Sequence, residues 1–473
     1  MQIKYKIIIF TLAILCSIFT LTSQPMFGLN PASWHMFGLI IIMVLFWITE
    51  VVPMAVTALI PIAYAPLTGL DTLRNVTSHY ADPIIFLFFG GLTMGLAIEK
   101  TNLHKRIALT ILSKMGNDYR HQLLGFMIAS AGISMWISNT ATAAMLLPVV
   151  LAVIATMPKD DSVASNNFPK ALLIGMAYAA SIGGIGTIIG TPPLVLLKGF
   201  LATQANYNIS FLDWLIFGTP LMIVMLIIAY FLLIKIFRLH DGKAVKYNYQ
   251  LALKELGPIS SEQRYVFIIF LFIAFAWIFK DYINLILHLK LTDEIIAIIA
   301  FLVFLTVPAP HNKGEPILNW EDMKGMSWDI LLLFGGGLSL AALFIKTGFT
   351  VWVVSSLNFI NHWSLLAIIF LVTLIVKFLT ELTSNSPTTA ATLPIFYPLA
   401  LSIHVNPLTI AIPLAVSAAL AFMMPIGTPP NAIVFSSGKL KIKDMVKVGF
   451  YLNIISIVLI SVYVYYVAPL IFK

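Results

Sequence analysis

Long apolar stretches recur along the chain, and polar residues are mostly confined to the shorter segments between them. A helix that crosses a bilayer needs about 20 mostly apolar residues. The first apolar stretch follows Lys4 and Lys6, as a signal peptide would, but no small-residue cleavage site follows it, so we interpret it as a retained helix. The pattern predicts eleven membrane-spanning helices, near residues 7–21, 35–52, 54–69, 83–99, 171–197, 213–237, 265–285, 294–310, 329–350, 407–437 and 448–470.

Two further apolar stretches, 122–157 and 364–403, are each interrupted in the middle by a cluster of Ser, Thr and Asn. These residue types favour helix caps and turns over helix interiors. Each stretch is long enough for two short helices, so we expect a re-entrant hairpin that enters and leaves on one side of the membrane. The predicted fold class is an all-α polytopic membrane protein with about 11 transmembrane helices and two re-entrant helical hairpins.

The composition agrees with a membrane location. Only 10 % of the 473 residues are charged and 60 % are hydrophobic, whereas about a quarter of an ordinary soluble protein is charged. This excludes a soluble enzyme, a disordered protein and a nucleic-acid binder. The single cysteine, Cys16, excludes an internal disulfide framework, and the nine His residues show no metal-ligand spacing.

The basic residues predict the orientation, because cytoplasmic loops carry an excess of Lys and Arg. With a cytoplasmic N-terminus and two re-entrant hairpins, 21 of the 28 basic residues lie inside and the C-terminus lies outside. One basic residue, Lys377, is assigned to neither side because it lies within the second broken stretch. Six basic residues lie outside in this topology: Arg74, Lys198, Lys280, Lys290, Lys346 and Lys473.

The two halves of the chain repeat each other. Gly90-Gly91-Leu92, Lys100-Thr101, Ser138-Asn139-Thr140 and Pro148 all recur at an offset of 246, the third of them as Ser384-Asn385-Ser386. Gly190-Thr191-Pro192-Pro193 recurs as Gly427-Thr428-Pro429-Pro430 at an offset of 237. Motifs that recur in the same order at constant offsets indicate that the chain arose by duplication. The predicted topology makes the copies inverted, and inverted repeats with interrupted helices are typical of secondary transporters.

The repeated motifs predict a binding site for an oxyanion. A hairpin places its Ser-Asn cluster at the tip, where the second helix presents free backbone N–H groups and the positive end of its dipole. Gly-Thr-Pro-Pro must unwind a span, because proline lacks the N–H donor and clashes with the preceding turn. Unwound backbone at this depth is tolerated where it lines a cavity or is buried in protein. Two tips and two loops give room for two oxyanion groups and two cation sites.

Other interpretations of these motifs are weaker. Ser and Thr in membrane helices often serve only packing, but the paired occurrence of both motifs favours binding. Gly91-x-x-x-Gly95 and Gly337-x-x-x-Ala341 are interpreted as helix-packing notches. No catalytic triad, phosphate-binding loop or metal-protease motif is present, so no enzyme is predicted. A channel needs a continuous pore, which paired hairpins meeting at the midplane argue against.

The paired SNT-type and GTPP motifs resemble those of the divalent anion/sodium symporter family, the dicarboxylate carriers of INDY type. The resemblance implies a homodimer in a cell membrane that moves substrate by an elevator motion. It implies a small dicarboxylate as partner, with succinate, malate, fumarate, 2-oxoglutarate, citrate or sulfate as family substrates. It implies no cofactor, with Na⁺ as the candidate coupling ion. Its expected domains are scaffold helices at 1–82 and 265–328, a linker at 239–264, and repeats at 83–238 and 329–473.

The same resemblance implies roles for individual residues. One substrate carboxylate would lie at one hairpin tip, the other at its counterpart, and the unwound loops would face them. The implied substrate-binding residues are Ser138, Asn139, Thr140, Thr191, Pro192, Ser384, Asn385, Ser386, Thr428 and Pro429. The implied Na⁺ ligands are Ser134, Ser138, Asn139 and the Gly190 backbone at one site, and Thr380, Thr383, Asn385 and the Gly427 backbone at the other.

Three departures from the family pattern bear on substrate preference, on the polar network of the first loop and on coupling. The second motif ends in Ser386 instead of Thr, and Leu194 stands where the second loop has Asn431. Lys377 lies seven residues before Ser384, and charge within the membrane is usually functional. It could form an i,i+4 ion pair with Glu381, snorkel to the interface, or replace part of a Na⁺ ion's charge. Na⁺ symport and dicarboxylate exchange therefore both stay open.

Overall fold

The structure is a computed structural model, and it describes residues 3–157, 163–239, 247–309, 314–356 and 362–472. Within these ranges the chain is helical, with one isolated β-bridge between Pro308 and Pro316 and no strand, so the all-α prediction is confirmed. Residues 240–246 of the predicted linker lie outside the described residues. The same holds for five basic residues of the predicted orientation: Lys159, Lys243, Lys246, Lys313 and Lys473.

The helices in chain order are α1 (Ile3–Thr22), α2 (Pro31–Thr49), α3 (Met54–Ala58), α4 (Ile60–Leu67), α5 (Leu73–Ser78), α6 (Pro83–Lys100), α7 (Leu103–Ser113), α8 (Tyr119–Ser134), α9 (Asn139–Ala155), α10 (Val163–Gly183), α11 (Pro192–Gln204), α12 (Phe211–Phe237), α13 (Tyr249–Glu255), α14 (Ser261–Ile278), α15 (Lys280–Leu287), α16 (Asp293–Thr306), α17 (Trp328–Lys346), α18 (Phe349–Ser356), α19 (Leu365–Leu382), α20 (Asn385–Ser402), α21 (Leu408–Ala418), α22 (Pro429–Ser436) and α23 (Ile442–Ile471).

Eight stretches of the described helices are long and apolar enough to cross a membrane. Seven of them coincide with predicted spans, and the eighth, Leu365–Leu382, is the first helix of the stretch 364–403 that was predicted to be re-entrant. The other four predicted spans are interrupted or shorter. The predicted span 54–69 is one such case: it divides into α3 and α4 at Leu59, since Pro61 lacks the N–H that would continue the helix. Among the seven that coincide, the predicted span 265–285 ends at Ile278, and α15 begins after Phe279.

The helix boundaries repeat at the offset found in the sequence. The starts of α7, α8 and α9 recur as the starts of α18, α19 and α20, with the same offset as the SNT-type motifs. The starts of α6 and α17, and of α10 and α21, depart from this offset by a single position. The predicted interruptions of 171–197 and 407–437 also appear as matched gaps, between α10 and α11 and between α21 and α22. Seven consecutive helices, α6 to α12, therefore have counterparts in α17 to α23.

Two glycines extend the duplication to a pair of helices that the sequence motifs did not align. A Cβ on Gly218 of α12 would collide with the carbonyl of Ile185, and one on Gly449 of α23 would collide with the carbonyl of Phe422. Ile185 and Phe422 are related by the offset of the GTPP motifs, so Gly218 and Gly449 occupy equivalent positions in the two repeats. The last helix of each repeat thus presses on the equivalent backbone position of its own unwound loop.

Close helix packing occurs at Gly90 and its counterpart Gly336, one residue before the predicted notches. A Cβ on Gly90 would overlap the backbone of Ala297 in α16, and one on Gly336 would overlap the backbone of Ala58 in α3. The notch assignment to Gly91 was wrong by one residue, because Gly91 faces Ile189 at an ordinary distance of 3.5 Å and lines a cavity.

Substituting these glycines should disrupt packing. We expect Gly90→Val and Gly336→Val to lower the apparent Tm and the yield of monodisperse protein, since overpacking a tight contact costs about 1–3 kcal/mol. Gly132→Ala is the matched control, because no atom lies within 4 Å of its Cβ position and Ala is the better helix former. Wild-type thermal stability in both valine variants, measured in detergent, would contradict this packing.

The two repeats pack reciprocally around the interrupted helices. Helix α9 of the first repeat packs against α22 of the second, and α20 of the second packs against α11 of the first. Helix α10 likewise contacts α22, while α21 contacts α11. Because each contact has its counterpart, both hairpins and both unwound loops meet in the centre of the molecule.

A buried ion cluster joins α11 to the helices between the repeats. The ammonium of Lys198 lies 2.6 Å from a carboxylate oxygen of Asp293 and 3.3 Å from Glu294, and Lys280 lies 2.8 Å from Asp293. Lys198 and Asp293 are about 1 % exposed. Lys198 and Lys280, counted above as outer basic residues, are therefore neutralised within the protein and contribute little to the charge of a surface.

Candidate functional site

Each polar cluster lies at the turn between two helices, as predicted. Helix α8 ends at Ser134 and α9 begins at Asn139, with Ser138 as its N-cap. Helix α19 ends at Leu382, and α20 begins at Asn385 after its N-cap Ser384. The backbone amides of the first turn of a helix have no acceptor within that helix, so both tips offer hydrogen-bond donors.

Both GTPP motifs also start a helix. Thr191 is the N-cap of α11 and Thr428 the N-cap of α22, each followed by two prolines in the first turn. Prolines are well accommodated there, since their missing N–H groups would be unpaired anyway. The residues before each motif are not helical, from Gly184 to Gly190 and from Ala419 to Gly427. The sequence therefore creates a second pair of helix N-termini.

All four helix starts line one cavity of about 460 Å³. The structure brings together all ten residues predicted to bind substrate, and they line this cavity: Ser138, Asn139, Thr140, Thr191, Pro192, Ser384, Asn385, Ser386, Thr428 and Pro429. Gly190 from the first candidate Na⁺ site lines it as well. The geometry required for one shared site thus exists, while the role of each residue stays a prediction.

The electrostatics of the cavity come from backbone and neutral side chains. Its described lining residues include no Lys, Arg or His, and their charged members are Glu99 and Asp329, both exposed. Four helix N-termini directed at one space supply the equivalent of partial positive charges there. Such an arrangement binds an anion without a fixed basic side chain.

The two tips differ in one hydrogen bond. The hydroxyl of Ser138 accepts a hydrogen bond from the amide of Ala141 at 3.2 Å. Ser384 makes no such cap bond, because the equivalent position is Pro387, which has no N–H. The Ser384 hydroxyl is therefore not engaged by its own helix and can direct both its proton and its lone pairs toward a ligand.

The candidate cation ligands occupy equivalent positions in the two repeats. Ser134 donates a hydrogen bond to Oδ1 of Asn139 at 2.6 Å, and Thr380 donates to Oδ1 of Asn385 at 2.8 Å. The carbonyl of Ala418 also lies 2.8 Å from the Thr380 hydroxyl, so the two acceptors share its single proton. The hydroxyl of Thr383 lies 2.9 Å from the carbonyl of Leu379 in its own helix and 2.5 Å from the hydroxyl of Thr388 in α20. These hydroxyl, amide and carbonyl oxygens are the ligands that hard cations prefer.

Glycine is required where the first loop folds against the tip. A Cβ on Gly184 would lie 2.6 Å from Oδ1 of Asn139, and one on Gly190 would lie 2.5 Å from the carbonyl of Gly184. Neither distance is compatible with a side chain. The close approach of the loop backbone to Asn139 places the Gly190 backbone beside the predicted cation ligands.

The two unwound loops differ in their hydrogen bonding at one equivalent position, which is Leu194 in the first repeat and Asn431 in the second. Leu194 is fully buried at the start of α11. Asn431 is also buried, and its amide donates to the carbonyls of Ala421 and Met424 at 3.2 and 3.1 Å. The second loop therefore has a polar tie that the first loop lacks at the corresponding position.

The structure corrects two interpretations of Lys377. Its side chain is fully buried, so it does not snorkel to an interface. Its ammonium donates to the carbonyl of Leu420 and lies 4.4 Å from the ring centre of Phe422. No ion pair with Glu381 is formed, because the Glu381 carboxylate is directed at backbone amides of the unwound loop instead.

Sequence reasoning missed that role of Glu381. One carboxylate oxygen accepts from the amide of Phe422 at 2.6 Å, and the other accepts from Met423 and Met424, both at 2.9 Å. The side chain of Asn453 adds a bond of 2.7 Å. The available signal was an acidic residue inside an apolar segment, but its partners lie 41 to 72 residues away in the chain.

Comparison with known proteins assigns the chain to a family. The family described as "Sodium:sulfate symporter transmembrane region" matches residues 2–472. The chain belongs to this sodium:sulfate symporter family, which confirms the resemblance found in the motifs. As a family member it is a multi-pass membrane transporter and not an enzyme.

Curated relatives cover most of the chain. The sodium-dependent dicarboxylate transporter SdcS of Staphylococcus saprophyticus is 39 % identical over 438 residues, which are 89 % of this chain and 84 % of that protein. SdcS of Staphylococcus aureus strain USA300 is 39 % identical over 436 residues, covering 90 % of this chain and 84 % of the relative.

Two solved structures share the fold at low sequence identity. MtrF of Neisseria gonorrhoeae, from a class of antimetabolite efflux pumps, aligns with a TM-score of 0.60 at 14 % identity over 98 % of this chain and 95 % of its own. The YdaH transporter of Alcanivorax borkumensis aligns with a TM-score of 0.56 at 12 % identity, over 82 % and 86 %. These similarities concern the fold alone.

Proposed function

We propose that this family member is a secondary transporter of C4 and C5 dicarboxylates, such as succinate, malate, fumarate and 2-oxoglutarate, with citrate as a further candidate. The observation that carries the proposal is the convergence of four helix N-termini on one cavity. A dicarboxylate has an anionic group at each end. One carboxylate would bind Ser138, Asn139 and Thr140, and the other would bind Ser384, Asn385 and Ser386.

Na⁺ coupling is the leading mode. The names of the SdcS relatives support it, and so do the oxygen atoms gathered behind each tip. One ion would be held by Ser134, Ser138, Asn139 and the Gly190 backbone. A second would be held by Thr380, Thr383, Asn385 and the Gly427 backbone.

Transport would follow an elevator mechanism in a homodimer, with inverted repeats and a cytoplasmic N-terminus. The reciprocal packing of the repeats supports a mobile unit that carries both hairpins and both unwound loops. The cavity extends to the exposed residues Glu99 and Asp329, at the end of α6 and the start of α17. In the proposed orientation this end is cytoplasmic, so the cavity is open to the inside.

Dicarboxylate exchange is the second candidate, and Lys377 is the observation that favours it. Its ammonium contacts the carbonyl of Leu420, next to the carbonyls of Ala418 and Ala419 that face Thr380 and Asn385. A fixed cation in this place would supply charge that a second Na⁺ ion otherwise brings. A carrier that keeps its own counter-charge can return loaded with another dicarboxylate.

Uptake into proteoliposomes tests the proposal and separates the two modes. Labelled succinate is supplied outside, with or without a Na⁺ gradient, to vesicles that are empty or preloaded with succinate. For symport we expect accumulation in empty vesicles only with Na⁺; for exchange, uptake only in preloaded vesicles, irrespective of Na⁺. Absence of uptake under all four conditions by monodisperse protein would contradict dicarboxylate transport.

Sulfate is the alternative substrate that the family description suggests, and an anion channel is the alternative mechanism. Sulfate is a single compact group, whereas a dicarboxylate has one anionic group for each hairpin tip. We therefore expect malate and fumarate to compete with succinate at concentrations where sulfate and butyrate do not. Stronger competition by sulfate than by malate would favour the sulfate carrier, and uptake that never saturates with succinate would favour a channel.

A further inference from the structure

The two unwound loops are held by different chemistry, although their backbones and helices correspond. In the second repeat, the loop before α22 is surrounded by polar side chains from three helices: Glu381 of α19, Asn431 of α22 and Asn453 of α23. All three are at most 2 % exposed. We call these three residues the polar clamp.

The polar clamp satisfies most of the loop backbone between residues 421 and 424. Glu381 accepts hydrogen bonds from the amides of Phe422, Met423 and Met424. Asn431 donates to the carbonyls of Ala421 and Met424. Asn453 in turn donates to Glu381 at 2.7 Å. Buried backbone groups without partners are costly, so these bonds fix the loop in one conformation.

The repeat offsets identify the corresponding residues of the first repeat. The SNT-type motifs relate Met135 to Glu381, the GTPP motifs relate Leu194 to Asn431, and the Gly218 and Gly449 pair relates Met222 to Asn453. Met135 and Met222 both approach Gly186, which corresponds to Met423: their side chains lie within 3.1 Å of its Cβ position. Three apolar side chains therefore occupy the place of the polar clamp.

The first loop has fewer side-chain hydrogen bonds, and no side chain among the described residues accepts from its amides. Trp214 and Thr219 donate to the carbonyls of Ile185 and Gly186, both at 3.1 Å, and Thr187 donates to the carbonyl of Met135 at 2.5 Å. The loop amides at Ile185 and Gly186 bond to carbonyls of the preceding turn, at Ile182 and Gly183. The loop contains Gly184, Gly186 and Gly190, and glycine backbone loses more freedom than any other residue when it is ordered. This loop lies against Asn139, where the proposed function places a Na⁺ ion.

We infer that the polar clamp holds the second unwound loop in its binding shape before any ion binds there, so that the ordering effect of Na⁺ falls on the first loop. Glu381 is then a positioning residue: it does not line the cavity, but it fixes the segment that leads to Thr428 and Pro429, which do. The inference rests on the proposed function for the role of Na⁺. The clamping of the loop can be measured independently of transport.

Hydrogen exchange of the wild-type protein tests the clamp directly. In Na⁺-free buffer without substrate, we expect peptides that cover residues 420–426 to exchange at least about tenfold more slowly than peptides that cover 183–189. Adding Na⁺ should slow exchange in the first loop and leave the second unchanged. Equal exchange of the two loops without Na⁺, or protection of the second loop by Na⁺, would overturn the inference.

Variants connect the clamp to substrate binding. We expect Glu381→Gln to raise the KM for succinate at least tenfold, and to raise the Na⁺ concentration for half-maximal uptake by a clearly smaller factor. Asn453→Leu should raise the KM to a smaller extent, and it replaces Glu381→Gln as the test variant if that protein does not fold. Thr373→Val is the control, because Thr373 is fully buried on the same helix and bonds only to Ile369 of that helix.

The outcomes separate two failures. If wild-type protein shows no dicarboxylate uptake but the exchange rates differ as expected, the proposed function is wrong and the clamp stands. If wild-type protein transports succinate while Glu381→Gln keeps the wild-type KM, or alters the Na⁺ requirement as strongly as the KM, the positioning role of Glu381 is wrong.

Discussion

Asn139→Ala and Asn385→Ala should each reduce succinate uptake by at least about tenfold, which is the effect of losing one hydrogen bond to a charged group. Each Asn begins a helix at the cavity, and each accepts a hydrogen bond from a predicted cation ligand. Removing either side chain therefore affects the anion and the ion together. The measurement is initial uptake into proteoliposomes at matched protein density.

Asn284→Ala is the control for both variants. Asn284 is also partly buried and bonded, with its amide on the carbonyl of Leu291 at 2.9 Å, but it does not line the cavity. It should keep wild-type uptake. If Asn139→Ala and Asn385→Ala both remain as active as Asn284→Ala, the hairpin tips are not the substrate site.

Lys377→Met should increase the number of Na⁺ ions needed for transport. The ammonium of Lys377 is fully buried on the carbonyl of Leu420, close to Thr380 and Asn385. Because a buried charge must be compensated, its removal leaves the second half of the site short of one positive charge. We expect the Hill coefficient for Na⁺ to rise by about one, and any uptake that the wild-type protein shows without Na⁺ to fall to background.

Lys346→Met provides the comparison for that variant. Lys346 is about half exposed and pairs with Asp71, and such surface pairs contribute at most about 1 kcal/mol. It should leave the Na⁺ dependence unchanged. A Lys377→Met protein with wild-type uptake and wild-type Na⁺ dependence would show that Lys377 has no part in coupling.

The sequence was informative where polar residues interrupt an apolar segment. The tips at Ser138 and Ser384 and the helix starts at Pro192 and Pro429 follow from local rules, since Ser caps helices and proline is suited to their first turn. The repeat offset then paired these features across the chain. Their convergence on one cavity was predictable because equivalent interruptions in inverted repeats mark a binding site.

Several of the features that were missed depend on contacts that no local pattern encodes. The break at Leu59 did have a local signal in Pro61, but the mostly apolar run 54–69 was interpreted as one span. The notch at Gly90 was displaced by one residue because two glycines are adjacent. Glu381 was assigned to the near neighbour Lys377, whereas its partners come from the loop before α22 and from α23. Such pairing is decided by tertiary packing, which one sequence does not show.

The central claim is that the cavity between the two hairpin tips carries a dicarboxylate across the membrane. Its most direct test is saturable uptake of labelled succinate by wild-type proteoliposomes, compared with the combined Asn139→Ala and Asn385→Ala variant. The account predicts uptake by wild type that malate competes away, and no uptake by the combined variant. Equal uptake by both proteins, or none by folded wild-type protein under any gradient or preload, would contradict it.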